Sequence, residues 1–280
     1  YFSPSSWFGY MSVSFFIVCA LSINLVSSLD NILDKRSCIS VLMMLGDYWQ
    51  LLKPRQFIAM SLLFILSFLV SSHPYEVLRF ERLFVGSLIA LTTAASFNAA
   101  NNYFDRDIDA VMVRTRKRPL PAGRITPKVA RIFILTLFTI STGLTVWFSL
   151  HYGLLILLLY ILGATFYIGL YTLIFKRRAL FNVLILSPAV ATPIWLGWYI
   201  GAGNLDLLGF LIGLVAVAWG PLHLWALATV FSRDFKRANI PMLPAVVGEK
   251  KVGLAIGVLE ITVGLLTVTP AISRLLGTLY

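Results

Sequence analysis

Residues 98–123, NAANNYFDRDIDAVMVRTRKRPLPAG, close a long apolar run with polar side chains at regular spacing. Asn101, Asp105 and Asp109 follow one another at every fourth position, so on a helix they form one ridge, each about 6 Å from the next. Oxygen ligands of this kind suit Mg²⁺, which usually keeps its waters and takes one or two carboxylates together with substrate phosphates. The basic residues that follow can hold the phosphates themselves. The stretch therefore predicts a diphosphate site.

The composition around this stretch is that of an integral membrane protein. Of the 280 residues, 59% are hydrophobic and 12% charged, and the mean hydropathy is +0.86. A soluble domain would have about 25% charged residues. The formal charge of +11 comes from basic residues in short loops between apolar runs, which is typical of cytoplasmic loops and argues against a nucleic-acid partner. Cys19 and Cys38 have no CxxC spacing, so the sequence predicts neither a disulfide framework nor a zinc site.

Eight apolar runs are long enough to cross a bilayer. The first, residues 8–29, is predicted as a preliminary transmembrane helix rather than a signal peptide, because it has no basic n-region and no small-residue cleavage site. Residues 30–53 form a polar connection with a short interfacial helix around 41–52. No run shows the roughly ten-residue alternation of a membrane barrel, so all are predicted as helices. The other seven are each near the ~20 residues that a spanning helix needs, and they are 56–72, 83–104, 132–150, 154–175, 179–200, 207–231 and 252–273.

The basic residues are distributed unevenly between alternate loops. If the loop of residues 98–131 is placed in the cytoplasm, twenty of the 23 lysines and arginines lie inside, and Arg79, Arg82 and Arg274 lie outside. So strong an asymmetry predicts the orientation of the bundle. It also puts the loop of residues 232–251 on the same, cytoplasmic face.

Asn101, Asp105 and Asp109 have a plainer explanation as solvated residues at a helix end. A helix C-terminus disfavours carboxylates, however, because its dipole is negative there. Oxygen ligands in register at that end need a cation, which favours binding of a metal with a diphosphate. Asp107 points roughly 160–200° away from the ridge on a helix of 3.6 residues per turn. It is predicted to pair with Arg106 or another basic residue rather than to bind metal.

A basic cluster follows the ridge within one or two turns. Arg114, Arg116, Lys117 and Arg118 are explained either as topological anchors or as phosphate contacts, and their position favours phosphate contact by at least one of them. Arg114 and Arg118 are four residues apart and could grip one phosphate together. Residues 119–123, PLPAG, then stop the helix and turn the chain back.

Two further segments have two explanations each, and their spacing does not decide between them. The second cytoplasmic loop supplies one carboxylate, Asp234, among three basic residues, which suits either a metal ligand or a salt-bridged loop. Tyr171 and Thr172 precede the KRR of residues 176–178. These residues suit either hydrogen bonding to phosphate or an aromatic belt with positive-inside residues.

Two ionisable residues lie inside predicted spans. A buried histidine that faces the bundle is expensive, so His223 is a functional candidate. It precedes Asp234 by roughly 16 Å along a straight helix, which suits the far end of a deep cavity whose mouth holds the diphosphate. Glu260 has no evident partner, and a protonated side chain bonded to a neighbouring helix is its plainer explanation.

Taken together, these residues resemble the UbiA superfamily of intramembrane prenyltransferases, and within it the protoheme IX farnesyltransferase (haem O synthase) branch. The superfamily's first motif, N-x₃-D-x₃-D, is here Asn101, Asp105 and Asp109. The resemblance covers about residues 47–270, and several separated motifs agree in order. The motifs that indicate the branch are KPR at 53–55, DRDIDAVM at 105–112 with RTR at 114–116, RPLPAG at 118–123, YT at 171–172 with KRR at 176–178, WGPLHLWALA at 219–228, and Asp234 followed by ANIPMLP at 238–244.

The sequence departs from the family pattern at three places. Val230 stands where the second motif often has its first aspartate, four residues before Asp234, which leaves a second metal less well ligated. Residues 186–193, LSPAVATP, replace the family's glycine-rich run and are expected to reshape the cavity. The family is a nine-helix bundle, of which this chain has the first seven. We therefore expect an extra N-terminal helix and linker in residues 1–46 and a bundle in residues 47–280. The last two helices of the family's bundle are expected either to be missing here or to be absent because this is a shorter, divergent member.

The resemblance implies an enzyme that transfers a farnesyl group from farnesyl diphosphate to a vinyl group of haem b, making haem O. It implies a prokaryotic cell membrane, active-site loops on the cytoplasmic face, and haem A synthase or a terminal oxidase assembly as a partner. Mg²⁺ is the implied cofactor, and the catalytic residues that ligate it are Asn101, Asp105, Asp109 and Asp234. The implied substrate-binding residues are Arg55, Arg114, Arg118, Tyr171, Thr172, Lys176, Arg177, Lys236 and, by analogy for the haem, His223.

Two other functions are compatible with parts of the sequence. The first is another UbiA-type prenyltransferase that acts on an aromatic acid, a quinone precursor or a glycerol phosphate. The motifs at residues 219–228 and 240–244 argue against it. The second is a transporter or cation channel whose carboxylates bind ions in passing. Clustering of acids and bases on one face, rather than along a pore, argues against that function.

Overall fold

The computed structural model describes residues 35–72 and 80–272, and every regular element in these residues is a helix. The predicted transmembrane helix of residues 8–29 lies outside them. The chain divides into two compact units, Tyr1–Tyr48 and Trp49–Tyr280, while the boundary expected after residue 46 stays a prediction. The helices are α1 (Lys35–Leu51), α2 (Pro54–Ser71), α3 (Phe80–Phe104), α4 (Arg106–Val111), α5 (Pro127–Tyr152), α6 (Leu155–Ala164), the π-helix π1 (Thr165–Phe175), α7 (Asn182–Ala202), α8 (Leu207–Val230), α9 (Ser232–Arg237), α10 (Leu243–Val247) and α11 (Glu249–Ile272).

Seven of the described helical segments are long and apolar enough to cross a membrane. They are α2, α3, α5, α6 together with π1, α7, α8 and α11. Each coincides with one of the seven apolar runs predicted after the preliminary helix. The prediction of an all-α membrane bundle is therefore confirmed.

Local sequence explains where several helices begin and end. Thr126 precedes α5, and its side chain accepts a hydrogen bond from the Val129 N–H. Asp206 precedes α8 and accepts from the Gly209 N–H at 2.8 Å. Both are N-caps, which satisfy amide groups that have no partner inside the helix. Gly203 follows α7 with φ of 84°, a left-handed conformation that glycine adopts without a steric penalty.

The backbones of α2 and α7 approach each other closely. A Cβ atom added to Gly197 would overlap the Phe64 carbonyl oxygen and would lie 3.0 Å from the Phe68 nitrogen. The Ser67 hydroxyl donates a hydrogen bond across the same contact to the Ile194 carbonyl, at 2.7 Å. Small residues and hydroxyl groups of this kind let membrane helices associate where the hydrophobic effect cannot drive them together.

Two clusters of buried apolar side chains lie in the unit of residues 49–280. The first includes Phe64 and Phe148 and joins the membrane-spanning helices. The second lies at the loops and includes Ile108 of α4, Trp225 of α8 and Phe235 of α9. The loop after α3 and the loop after α8 therefore share a core, which holds the polar residues of both loops in fixed positions.

The helix of residues 155–175 changes its winding along its length. Residues 155–164 are α-helical, and residues 165–175 form a π-helix. At its end the Lys176 N–H donates to the Tyr171 carbonyl, five residues earlier, at 2.8 Å. The sequence predicted a helix here but not its widened winding. π-helical turns inside membrane or soluble helices occur frequently at functional sites.

Helix α11 packs less tightly than the other spans. Only 6% of its apolar window is buried. Glu260 lies on its exposed surface, and no hydrogen bond joins it to a neighbouring helix among the described residues. The bond to a neighbouring helix expected for Glu260 is therefore not observed.

Candidate active site

The ridge predicted from the sequence forms at the junction of α3 and α4. The Asp105 N–H donates to the Asn101 carbonyl at 2.9 Å, and the Asp109 N–H donates to the Asp105 carbonyl at 2.8 Å. The helical register therefore continues through the junction. All three side chains are buried, with exposed fractions of 2%, 2% and 4%. Buried carboxylates need charged or hydrogen-bonding partners, because an unpaired charge is costly to remove from water.

Cationic side chains supply those partners. The Lys176 ammonium donates to Asp105 Oδ2. Arg118 donates to Asp109 Oδ2 at 2.7 Å and to Asn102 Oδ1 at 3.1 Å. Burial opposes the charge on Lys176, but the neighbouring Asp105 carboxylate outweighs it, so the pKa of Lys176 is raised. The predicted proximity of acidic and basic groups is thus present, and the acids and bases contact each other directly.

Lys53 is a site residue that the sequence did not assign. The resemblance assigned Arg55 to substrate, but Arg55 is exposed, and Lys53 points inward, where its ammonium donates to Asn101 Oδ1. Lys53 has φ of 54°, a left-handed conformation uncommon for residues other than glycine. The proline that follows disfavours the ordinary helical conformation at this position. Burial, together with repulsion from Arg118 and Lys176, lowers the pKa of Lys53 to about 7.

The ridge fits a magnesium ion that is bound largely through its substrate. Among the described residues, Asp105 Oδ1 is buried and has no hydrogen-bond partner. The same residues contain no group of three or more histidine, cysteine, aspartate or glutamate side chains that could hold a metal ion. Mg²⁺ typically binds proteins through one or two carboxylates plus waters and substrate phosphates. The free oxygen of Asp105 and the adjacent oxygens of Asn101 and Asp109 match that ligand set.

Asp234 joins the second loop to the first. Its two carboxylate oxygens accept from the backbone N–H groups of Val113 at 3.2 Å and Arg114 at 3.1 Å. Arg237 lies 3.8 Å from the same carboxylate. Val230, which stands where the family pattern often has an aspartate, is exposed. Asp234 was expected to be either a metal ligand or part of a salt-bridged loop, and the salt-bridged loop is present. A carboxylate has about four lone-pair sites, so Asp234 keeps capacity for a metal as well.

Asp107 and Arg177 form an ion pair on the other side of α4. Both terminal guanidinium nitrogens of Arg177 donate to the Asp107 carboxylate, each at 2.7 Å. The hydrogen bonds from Arg177 lower the pKa of Asp107. Arg106 instead donates to the Tyr103 carbonyl and lies over that ring. Asp107 therefore pairs with a basic residue as predicted, and Arg177, which the resemblance assigned to substrate, is occupied by that pair.

The π-helix brings Tyr171 and Thr172 close to the ridge. Thr172 accepts from Asn101 Nδ2 at 3.0 Å and donates to the Tyr167 carbonyl at 2.7 Å. The Lys176 ammonium lies 5.6 Å from the centre of the Tyr171 ring. Tyr171 and Thr172 are both buried. Their direct contacts are with ridge residues and with the ammonium that neutralises the ridge.

The basic cluster after the ridge divides into inward and outward members. Arg118 points inward, as described above. The Arg114 guanidinium lies 5.0 Å from the centre of the Phe231 ring, a cation–π contact between the two loops. Arg116 and Lys117 are exposed, as topological anchors would be. Arg114 and Arg118 thus contact different groups, and their joint grip on one phosphate stays a prediction.

Two residues assigned to substrate lie at exposed positions. The expectation that His223 is buried against the bundle is wrong: it is exposed on α8, where its ring stacks on Trp219 with centroids 4.7 Å apart. Pro221 and Trp225, on the same helix, take the buried side instead. Lys236 is also exposed, on α9. Their contact with substrate stays a prediction.

Asn98 is a further polar residue of α3, to which the sequence assigned no role. It is buried, and the Tyr167 hydroxyl of π1 donates to its Oδ1 at 3.0 Å. It precedes Asn101 by three residues, so it lies on the same side of the helix, one turn deeper. That spacing was the signal that could have found it.

Comparison with known proteins identifies the family. Residues 57–280 match the UbiA prenyltransferase family. The chain belongs to that family. It is 44% identical over 162 residues to the protoheme IX farnesyltransferase of Symbiobacterium thermophilum, which covers 58% of this chain and 53% of that protein. It is 37% identical over 208 residues to protoheme IX farnesyltransferase 2 of Pyrobaculum aerophilum, covering 74% of this chain and 71% of that protein.

The fold is also that of solved UbiA structures. A UbiA homologue from Archaeoglobus fulgidus bound to DMAPP and Mg²⁺ superposes with a TM-score of 0.65 at 18% identity, covering 79% of this chain and 76% of that one. The match to the Symbiobacterium relative spans about half of that protein's length. The predicted resemblance to the UbiA family and its farnesyltransferase branch is confirmed.

Proposed function

We propose that this protein is an intramembrane prenyltransferase that moves a farnesyl group from farnesyl diphosphate to a vinyl group of haem b, forming haem O. One observation carries the proposal: buried carboxylates meet partly buried cations at one end of an apolar helix bundle. The similarity to proteins named protoheme IX farnesyltransferase supports the choice of substrates.

The ridge would bind the metal and thereby the diphosphate. Asn101, Asp105 and Asp109 would hold Mg²⁺, and Asp234 is the fourth candidate ligand. When bound, the ion would supply charge neutralisation of the leaving diphosphate, which lowers the barrier to breaking the allylic C–O bond. The Mg²⁺ bound to the Archaeoglobus fulgidus homologue supports the use of a divalent metal.

The cations around the ridge would bind the diphosphate oxygens. Lys53, Lys176 and Arg118 each contact a ridge or adjacent side chain directly. They reach the ridge from three different segments, and each contacts a different ridge residue. Charge-assisted hydrogen bonds from such groups are stronger than neutral ones and stabilise negative charge that develops on the leaving oxygen.

The aromatic side chains beside the ridge would shelter the allylic cation. Tyr171 lies under the Lys176 ammonium, and its ring centre is 6.3 Å from that of Tyr167. Tyr167 in turn lies 6.3 Å from Phe97. This row of rings continues from the charged end into the bundle. Aromatic faces attract cations, and an apolar surround excludes bulk water, which would quench them early.

Three further assignments belong to the same proposal. The site faces the cytoplasm of a prokaryotic cell, which the distribution of lysines and arginines supports. His223, stacked on Trp219, contacts the haem from the exposed side of α8. The product passes to haem A synthase or a terminal oxidase assembly in the same membrane.

A labelling experiment tests the function. Membranes that contain the protein are incubated with radiolabelled farnesyl diphosphate and haem b, with Mg²⁺ or with a chelator. Label in haem that depends on Mg²⁺ supports the proposal. Label in an added quinone precursor instead would make the protein another UbiA-type prenyltransferase. Ion flux through vesicles without any label transfer would make it a transporter.

A further inference from the structure

The side-chain amide of Asn98 is incompletely hydrogen-bonded at a buried position. Its exposed fraction is 4%. Its Oδ1 accepts from the Tyr167 hydroxyl at 3.0 Å, whereas its Nδ2 has no partner among the described residues. Most buried polar atoms in proteins are paired, and an exception in a well-packed interior calls for an explanation. Here the unpaired donor lies one helical turn inside the ridge, on the ridge side of α3.

Tyr167 supplies the complementary group. A phenol donates one hydrogen bond and keeps lone pairs that can accept another. Because its hydrogen goes to Asn98, its oxygen remains an acceptor. Asn98 and Tyr167 together thus present one N–H donor and one oxygen acceptor, side by side. A water molecule needs two to four polar partners in order to occupy a protein interior.

The surroundings of this pair contain few other groups that could bind water. The Tyr167 ring lies between those of Phe97 and Tyr171, each 6.3 Å away between centroids. Asn101, the ridge residue nearest to Asn98 along α3, already bonds to Lys53 through Oδ1 and to Thr172 through Nδ2. A water bound beside this pair would therefore be held by Asn98 and Tyr167.

We propose that Asn98 and Tyr167 bind the water molecule that ends the prenyl transfer, an inference that rests on the function proposed above. The allylic C–O bond breaks with its electron pair on the diphosphate, and the vinyl π electrons form the new C–C bond. This leaves a cation on the vinyl carbon next to the macrocycle. The oxygen of the bound water forms a C–O bond there, and the released proton leaves with the diphosphate. Oxygen, charge and protons balance with one water consumed.

Product composition tests this role directly. If water is held in the wrong place, the same cation loses a proton instead, and the prenylated haem is lighter by one water molecule. Asn98→Leu removes the donor and keeps the branched side chain with the same number of heavy atoms, and Tyr167→Phe removes the acceptor. We expect both variants to convert a large share of product to the lighter species, as read by mass spectrometry of extracted haems. Ser96→Ala is the matched control, because Ser96 is buried on α3 and bonds only within that helix. It should give hydrated product alone.

Each other outcome overturns the inference. Hydrated product alone from Tyr167→Phe and Asn98→Leu would show that the pair does not hold the water. Variants that bind farnesyl diphosphate but form no prenylated haem of either mass would assign the pair to breaking the C–O bond. If Asn98→Leu does not fold, Tyr167→Phe decides by itself. Failure of the proposed function is distinct, because the unaltered protein would then form no prenylated haem at all.

Discussion

Lys53 and Arg55 are two basic side chains two positions apart that face opposite environments. Lys53 reaches the ridge through Asn101, whereas Arg55 is exposed. If Lys53 binds the diphosphate, Lys53→Met removes one charge-assisted hydrogen bond of about 1.5–3 kcal/mol. We expect kcat/KM for farnesyl diphosphate to fall by roughly 10- to 100-fold, since 1.4 kcal/mol is a factor of ten. Arg55→Met is the matched control, and an equal loss in that variant would contradict the assignment.

Asp105 and Asp107 offer a similar comparison between two carboxylates. Asp105 is buried, bonds to Lys176 and has a free oxygen, whereas Asp107 is exposed and pairs with Arg177. Asp105→Asn should reduce turnover by at least ~100-fold, the usual cost of removing one preorganised electrostatic contact. Expression and membrane insertion should be unchanged. Asp107→Asn should keep nearly full turnover. If membranes that contain the Asp105→Asn variant prenylate at the normal rate, Asp105 is not a metal ligand.

Among the helices, the contact between α2 and α7 depends on the absence of a side chain. A Cβ on Gly197 would meet the α2 backbone, whereas a Cβ on Gly143 of α5 would meet nothing within 4 Å. Gly197→Ala should therefore destabilise the bundle by about 1–3 kcal/mol, the usual cost of overpacking. Gly143→Ala should leave it unchanged or slightly more stable. Thermal unfolding in detergent measures both, and equal melting temperatures would argue against this close packing.

The contact between the loop after α3 and the loop after α8 depends on Asp234. Its carboxylate accepts from the N–H groups of Val113 and Arg114, next to exposed trypsin sites at Arg116 and Lys117. Asp234→Ala should loosen this segment and speed tryptic cleavage there several-fold, because local opening limits proteolysis of ordered loops. Asp206→Ala, which removes a helix cap at the other end of α8, is the control. Unchanged cleavage in Asp234→Ala would leave Asp234 without a role in holding the loop.

Across the protein, the orientation in the membrane can be tested by labelling introduced cysteines. Lys117 and Asn204 are both exposed and lie in loops that alternate across the bundle. In a background without Cys19 and Cys38, Lys117→Cys should be protected from an impermeant maleimide in intact cells, and Asn204→Cys should be labelled. The reason is the excess of lysine and arginine on the Lys117 side. The opposite pattern would reverse the proposed cytoplasmic location of the site.

Much of the architecture could be predicted from one-dimensional patterns. The seven apolar runs coincide with described spans because a bilayer requires about 20 apolar residues and satisfied backbone groups. The ridge of Asn101, Asp105 and Asp109 followed from helical periodicity, which is local. The family could be recognised because its motifs are short, ordered runs of sequence.

The tertiary structure decided which side chains meet across helices. Lys53 rather than Arg55 reaches the ridge, His223 is exposed rather than buried, and Asp107 pairs with Arg177 seventy residues away. The π-helix that aligns Tyr167 with Asn98 was also absent from the sequence prediction. Periodicity gives the direction of a side chain around its own helix, but the rotation and depth of one helix against another depend on packing between distant residues. For that reason the sequence determined the helices, the ridge and the family, and only the folded bundle determined which cations and which hydrogen-bonding pair complete the site.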